Sequence, residues 1–172
     1  KDIPAEAILF DMYYMAKDPV VLAGEKRELP KVEFRPVNET TPQFRNFQIS
    51  NVYCNGAEKG IFVRGLPEMH VKDVVLENMV LQSRKGADIQ EASGMTFRNI
   101  TLLSRDVNPV IDILQSDNLV FENIRCTDRP ELLFRVSGDR CANIRISKTD
   151  GSNAKQKIAF ELGATEQSVR FP

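Results

Sequence analysis

An apolar block centred on asparagine recurs along this chain and restricts what it can fold into. The copies are ISNVYC at 49–54, LENMVL at 76–81, FRNITL at 97–102, FENIRC at 121–126 and, more weakly, CANIRI at 141–146. Their asparagines, at positions 51, 78, 99, 123 and 143, are separated by 27, 21, 24 and 20 residues. Self-similarity at such a period is typical of solenoid proteins, whose coils stack along one axis.

A second series of strand-like segments lies between the asparagine blocks. Each segment carries two apolar residues at alternate positions, which marks a strand with one buried face. The predicted inward pairs are Ile61/Val63, Ala87/Ile89, Ile111/Ile113, Phe134/Val136 and Phe160/Leu162. Because the asparagine blocks and these segments recur at a similar spacing, they predict two parallel sheets built from successive coils.

The asparagines have a physical role in such a fold. Asparagine tolerates the left-handed backbone conformation that a sharp bend between sheets requires, and stacked amides can hydrogen-bond from coil to coil. A leucine-rich repeat also shows asparagine at this period, but its return segments are helical or irregular, whereas these are short and β-like. We therefore predict an all-β fold, a single-stranded right-handed parallel β-helix of about six coils, forming one domain over 1–172.

Length and charge narrow the function classes. The chain has 172 residues with a net charge of -1, which removes the main electrostatic argument for nucleic-acid binding. No apolar run approaches the roughly 18 residues that a membrane span needs, so no membrane partner is predicted. The chain has three cysteines, Cys54, Cys126 and Cys141. A set that is small and odd in number argues against a disulfide framework. Cys54 and Cys126 occupy the same apolar slot of the repeat, as buried hydrophobes do.

The N-terminal segment fits the same scheme with one interruption. The strand-like stretch AILFDM at 7–12 resembles the second series, yet Ile8 and Ile61 lie 53 residues apart. That distance equals two coils, or one coil with a long insertion. We favour the second reading, with a loop excursion over 15–42, a stretch rich in proline and charge.

Several stretches resemble polygalacturonases, glycoside hydrolase family 28. They are TPQFRN at 41–46 through GLPE at 65–68, the segment 71–79, and the opening IPAEAILFDMYY at 3–14. The first of these resemble the C-terminal coils of that family, and the opening resembles the strand just after its last catalytic motif. The resemblance implies a right-handed parallel β-helix that hydrolyses galacturonic-acid linkages in pectin with inversion, in a secreted or periplasmic protein.

The catalytic motifs of that family are missing. Asn-Thr-Asp, Asp-Asp, Gly-His-Gly and Arg-x-Lys do not occur, and the single histidine, His70, stands in another context. An inverting glycosidase needs an acid and a base about 6.5–9.5 Å apart, and no such pair can be nominated. We expect the catalytic coils to lie upstream, so that this chain is the C-terminal part of a hydrolase, inactive alone. The alternative is a non-catalytic β-solenoid that serves as a carbohydrate-binding or adhesion module.

Two residues are candidates for substrate binding. The resemblance places Tyr14, with Tyr13 adjacent, where the family has a substrate-contacting tyrosine, and sugars stack their C–H faces on aromatic rings. Tyr14 could equally pack under the long loop. Arg64 lies on the outward side of its strand, where its planar fork could pair with a uronate carboxylate, or where it is simply a solvated charge.

Other polar residues are weaker candidates for catalytic or metal-binding groups. Asp88 and Asp112 stand one coil apart, about 5 Å, which suits a cation or a carboxylate pair but is too close for inversion. His70 has no partner motif around it. The sequence nominates no cofactor and no metal. If upstream coils are missing, the coil that holds Ile8, Phe10 and Met12 has lost a neighbour, so we expect self-association through the N-terminal end or coverage by the excursion.

Overall fold

The backbone of this chain winds into a parallel β-solenoid of about five turns, as the predicted repeat requires. A computed structural model describes residues 3–13, 29, 34–126, 129–149 and 151–171. Its strands are β1 (Ile3–Asp11), β2 (Gln48–Asn55), β3 (Ala57–Arg64), β4 (Val71–Lys72), β5 (Val75–Ser83), β6 (Lys85–Gln90), β7 (Ala92–Ser93), β8 (Thr96–Ser104), β9 (Ile111–Leu114), β10 (Val120–Cys126), β11 (Leu132–Ser137), β12 (Ile144–Ser147), β13 (Gln156–Glu161) and β14 (Val169–Arg170). A 3-10 turn, Glu166–Ser168, precedes β14.

Two long sheets form the body of the solenoid. Sheet 1 has the order β1-β3-β6-β9-β11-β13, and sheet 2 has the order β14-β12-β10-β8-β5-β2. Every pairing in them is parallel. The parallel β-helix and its two predicted sheets are therefore confirmed.

A third, narrow sheet closes each turn, and the sequence analysis missed it. Strands β4 and β7 pair over two residues each, and single bridges continue the row from Arg45 through Lys72, Ser93 and Asp117 to Ala142. Strands this short have no room for an alternating pattern, which explains why the periodicity did not reveal them.

The predicted left-handed backbone is confirmed at all five asparagines of the repeat, with Asn143 at φ 50°. Four of the five are also equivalent in register. Asn51, Asn78, Asn99 and Asn123 have φ between 53° and 60°. The amide of Asn99 donates to Asn78 Oδ1 at 3.0 Å, and that of Asn123 donates to Asn99 Oδ1 at 2.9 Å. We call this row of Asn78, Asn99 and Asn123 the amide ladder.

The fifth copy of the repeat was assigned to the wrong register. Glu122 pairs with Ser147, so the residue that follows Asn123 in the ladder position is Lys148, also left-handed at φ 51°. Asn143 stacks instead on Asn118, donating to its Oδ1 at 2.7 Å. It belongs to a second left-handed row, which lies at the corner between the narrow third sheet and sheet 2. The motif CANIRI therefore resembles the repeat in sequence but does not occupy the same place in the coil.

The core lies between the sheets and is filled by the inward rows. The sheet 1 rows run in register from Ile8 and Phe10 through the predicted pairs. The last pair is Ile158/Phe160 and not Phe160/Leu162, because Phe134 pairs with Ile158 and Val136 with Phe160. Residue 162 has already left the strand, with φ 53°.

The prediction that Cys54 and Cys126 occupy the same position of the repeat is confirmed. Cys54, Leu81, Leu102 and Cys126 lie in one register row, and all three cysteines are free thiols. Burial raises the pKa of the Cys126 thiol to about 12, so it is an inert hydrophobe.

Strand β1 pairs directly with β3, with Ile8 opposite Ile61, so the two strands belong to adjacent coils. Much of the 15–42 excursion lies outside the described residues. The described part of the chain contains no helix of the length and apolarity that a membrane crossing needs.

Candidate functional site

The outer face of sheet 1 carries an ion pair where its first two strands end. Asp11 and Arg64 are register partners at the ends of β1 and β3. Arg64 Nε donates to Asp11 Oδ1 at 2.9 Å and its Nη2 donates to Oδ2 at 2.7 Å. Arg64 is only 7% exposed, so it is not a solvated surface charge. Its proposed contact with a uronate stays a prediction, and two of its donors already bind Asp11.

The electrostatics of Asp11 reflect this pairing. Burial alone would raise the pKa of the carboxyl, but the hydrogen bonds from Arg64 and from the backbone N–H of Tyr13 outweigh it. The Tyr13 N–H donates to Asp11 Oδ1 at 2.9 Å. The pKa of Asp11 is therefore held below its ordinary value, and the pair is ionised at neutral pH.

A tight turn after β3 brings two more titratable side chains to the same corner. Leu66 and Met69 exchange backbone hydrogen bonds of 3.0 and 3.1 Å, which closes the turn. A Cβ at Gly65 would stand 2.1 Å from the carbonyl oxygen of Glu91, so only glycine allows this close approach. The turn thereby presents Glu68 and His70 beside the next coil.

Glu91 is the most buried carboxylate of this corner, at 9% exposure. It adopts a left-handed backbone with φ 47° just after β6. Arg140 Nη2 donates to its Oε1, and His70 Nε2 lies 3.2 Å from its Oε2. That approach of His70 lacks hydrogen-bond geometry, so Oε2 is buried without a hydrogen bond, as is Oε2 of Glu68.

Arg140 reaches Glu91 from two coils away because its own backbone is fixed. The side chain of Gln115 accepts a hydrogen bond from the Arg140 N–H at 2.9 Å and donates to Asp139 Oδ1 at 3.2 Å. The Phe34 ring covers the Arg140 guanidinium at 5.5 Å. Hydrogen bonds of Glu91, Gln115 and Arg140 thus link three successive coils.

Tyr13 lies beside these side chains. Its ring lies 5.1 Å from the Arg64 guanidinium, in cation–π range. Burial raises the pKa of its phenol, and the negative charges of Glu91 and Glu68 raise it further. We use the name corner cluster for Asp11, Tyr13, Arg64, Glu68, His70, Glu91 and Arg140.

The other candidate residues lie away from the corner cluster or outside the described residues. Tyr14 falls outside the described residues, so its role as a sugar platform stays a prediction. Asp88 and Asp112 are register neighbours on sheet 1, as expected. Lys59 forms an ion pair with Asp88, and Arg135 Nη1 lies 3.4 Å from Asp112 Oδ2. Both aspartates are thus partnered by cations of their own sheet.

Sequence reasoning missed Glu68, Glu91 and Arg140, because they come from three different coils and share no motif. A signal was present in GLPEMH at 65–70, where glycine and proline mark a tight turn that also carries an acid and the only histidine. Over the ranges that the structure describes, no group of three or more histidines, cysteines or acids could hold a metal ion.

Comparison with known proteins yields no relative from which a role could be transferred. No family model, no curated protein and no solved structure matches the chain. The function must therefore be argued from the solenoid and its corner cluster.

Proposed function

We propose that this chain belongs to a secreted or periplasmic polysaccharide-degrading hydrolase of the polygalacturonase kind, and that its own contribution is to bind the glycan at the corner cluster. The observation that carries the proposal is the meeting of a half-buried aromatic ring, two arginines, a histidine and two incompletely bonded glutamates on the outside of a parallel β-helix. Aromatic faces with convergent polar groups are the usual elements of a sugar site.

The pair of Asp88 and Asp112 on sheet 1 supports binding rather than bond cleavage. Asp88 and Asp112 occupy adjacent rungs, about 5 Å apart, and each has a cationic partner. An inverting hydrolase separates its acid and base by about 6.5–9.5 Å, with water between them. We therefore expect no release of reducing ends when the purified chain is incubated with polygalacturonate.

The binding role is tested with two tyrosines in different parts of the solenoid. Tyr13 belongs to the corner cluster, whereas Tyr53 points outward from sheet 2 and is 74% exposed. Titration calorimetry against pectic oligosaccharides should show that Tyr13→Ala weakens binding about tenfold, the loss of one stacking contact. Tyr53→Ala should bind as the wild type does. Equal losses in both variants, or a wild type that binds no glycan, would refute the proposal.

A further inference from the structure

The junction between β2 and β3 carries a reactive pair of residues. Asn55 is the only asparagine of the sequence that a glycine follows, whereas the others precede larger residues such as Phe47, Val52 and Ile100. The side-chain amide of an asparagine is open to attack by the backbone nitrogen of the next residue, and glycine has no Cβ to hinder that attack. Asn55 ends β2 with its side chain exposed, so water reaches the amide and ammonia can leave.

The turn itself requires the glycine that makes Asn55 reactive. Gly56 has φ 92°, a conformation that residues with a Cβ rarely adopt. It reverses the chain between the exposed end of β2 and Ala57, the buried first residue of β3. A larger residue at this position would remove the reactivity but would strain the turn.

A hydrogen bond in the folded protein restrains the attacking atom. The N–H of Gly56 donates to the carbonyl oxygen of Gln82 on β5 at 3.0 Å, and Asn55 is the register partner of Gln82. The nitrogen must lose its proton and turn toward the Asn55 side chain before it can attack, and this bond opposes both steps. The reaction therefore follows separation of the end of β2 from β5.

The position of β2 makes that separation easier than it is inside the solenoid. Among the described strands, β2 is the last of sheet 2 and pairs with β5 alone. End elements open at a smaller free-energy cost than central ones. The amide ladder also holds the side chains of Asn78, Asn99 and Asn123. Within the part of the chain that the structure describes, no such bond holds the Asn55 side chain.

We infer that Asn55 is a site of spontaneous deamidation, and that opening of the hydrogen bond from Gly56 to Gln82 sets its rate in the folded protein. The Gly56 nitrogen loses its proton and bonds to Cγ of Asn55, and the Cγ–Nδ2 bond breaks with release of ammonia. Water then opens the cyclic imide. Attack at Cγ gives aspartate, and attack at the main-chain carbonyl carbon gives isoaspartate. The inference is independent of glycan binding.

Peptide mass spectrometry of the full chain tests this inference, after ageing at mildly alkaline pH in native buffer and in guanidinium chloride. Deamidation is measured from the mass gained when the amide becomes a carboxyl group, and isoaspartate from labelling by an isoaspartyl methyltransferase. We expect Asn55 to react at least about tenfold more slowly in native buffer, because modification tracks the population of the open form. Asn46 is the internal control, because it is exposed but precedes the bulky Phe47. It should react more slowly than Asn55 in denaturant.

A glycine substitution provides the second arm. In guanidinium chloride the folding of Gly56→Ala is irrelevant, and its added methyl group should slow the reaction at Asn55 at least about tenfold. Equal rates at Asn55 in native buffer and in denaturant would show that the bond to Gln82 gives no protection, which would overturn the inference. The inference would also be wrong if Asn46 reacted first or if Gly56→Ala reacted as fast as the wild type. The same holds if Asn55 stayed unmodified in native buffer through many half-lives of the reaction in denaturant.

Discussion

At the residue scale, Asp11 and Arg64 form an ion pair that neither residue could leave without exposing a buried charge to an apolar environment. Both side chains are largely buried, with side-chain exposures of 19% and 9%. Removing either side chain should therefore lower the free energy of unfolding, because the remaining buried charge has lost its hydration and has no counter-charge. The pair fixes the ends of β1 and β3 in register. It also positions Tyr13, whose backbone N–H donates to Asp11 Oδ1.

Replacing Asp11 tests this pair through its pH dependence. Asp11→Asn should lower the free energy of unfolding at pH 7 by about 1–3 kcal/mol, because Arg64 loses its counter-charge. The pKa of Asp11 is lower in the folded protein. Its contribution is therefore complete above the unfolded pKa of about 3.9 and is lost as pH falls through the folded value. Urea unfolding should show the two proteins converging below about pH 4. A gap that widens in acid would contradict this.

The amide ladder makes a second prediction for single residues. Asn99 both donates and accepts in the ladder, whereas Asn123 only donates to Asn99. Glycine adopts the left-handed conformation freely, so Asn99→Gly and Asn123→Gly change the ladder with little backbone strain. Asn99→Gly should be more destabilising by about 0.5–1 kcal/mol, the net value of one hydrogen bond. Equal losses in urea unfolding would show that the ladder bonds contribute nothing.

At the scale of elements, sequence predicted what repeats and missed what does not. The inward rows of sheet 1 and the left-handed asparagines follow from periodicity, because each coil must bend and bury the same face. The register of the last coil was wrong, because CANIRI at 141–146 has the same composition as the true repeat at another corner. Glu91 and Arg140 were not foreseeable, since 49 residues separate two side chains that meet.

The turn after β3 is the element on which the corner cluster depends. Gly65→Ala places a methyl group 2.1 Å from the Glu91 carbonyl oxygen, so the turn must shift. We expect a loss of about 1–3 kcal/mol and weaker glycan binding. Gly151→Ala is the control, because its Cβ meets only side-chain atoms, at 3.3 Å or beyond. Calorimetric melting of both variants decides the matter, and similar losses would show that the approach to Glu91 is not critical.

At the scale of the whole molecule, the first turn exposes apolar side chains at the end of the described solenoid. Phe10 is buried, and the rings of Phe44 and Phe47 pack edge-on against it at 6.2 and 5.3 Å. Among the described residues, three of the six exposed large hydrophobic side chains, Leu9, Phe47 and Tyr53, lie on or directly beside the end strands β1 and β2. Clustered exposed apolar residues commonly mark a contact surface.

We propose that the chain self-associates through this end, and Phe47 is the residue with which to test it. Phe47→Asp should lower the average mass measured by light scattering over a concentration series, because it places a charge in the apolar contact. Leu103→Asp is the matched control, since Leu103 is 40% exposed against 42% for Phe47 but lies on β8. A wild type that stays monomeric throughout, or equal effects of both variants, would exclude association through the first turn.

The direction of the amide ladder has a consequence for any larger assembly. Each amide donates toward the preceding coil, and every strand pair is parallel, so the two ends of the solenoid are not interchangeable. Copies that continue both sheets with parallel pairing must join unlike ends, β1 and β2 of one copy against β13 and β14 of the next. Such a head-to-tail contact has no two-fold axis, and it leaves one unused end at every step. The solenoid therefore has a direction, and stacking of this kind extends into a filament unless one of its two ends is covered.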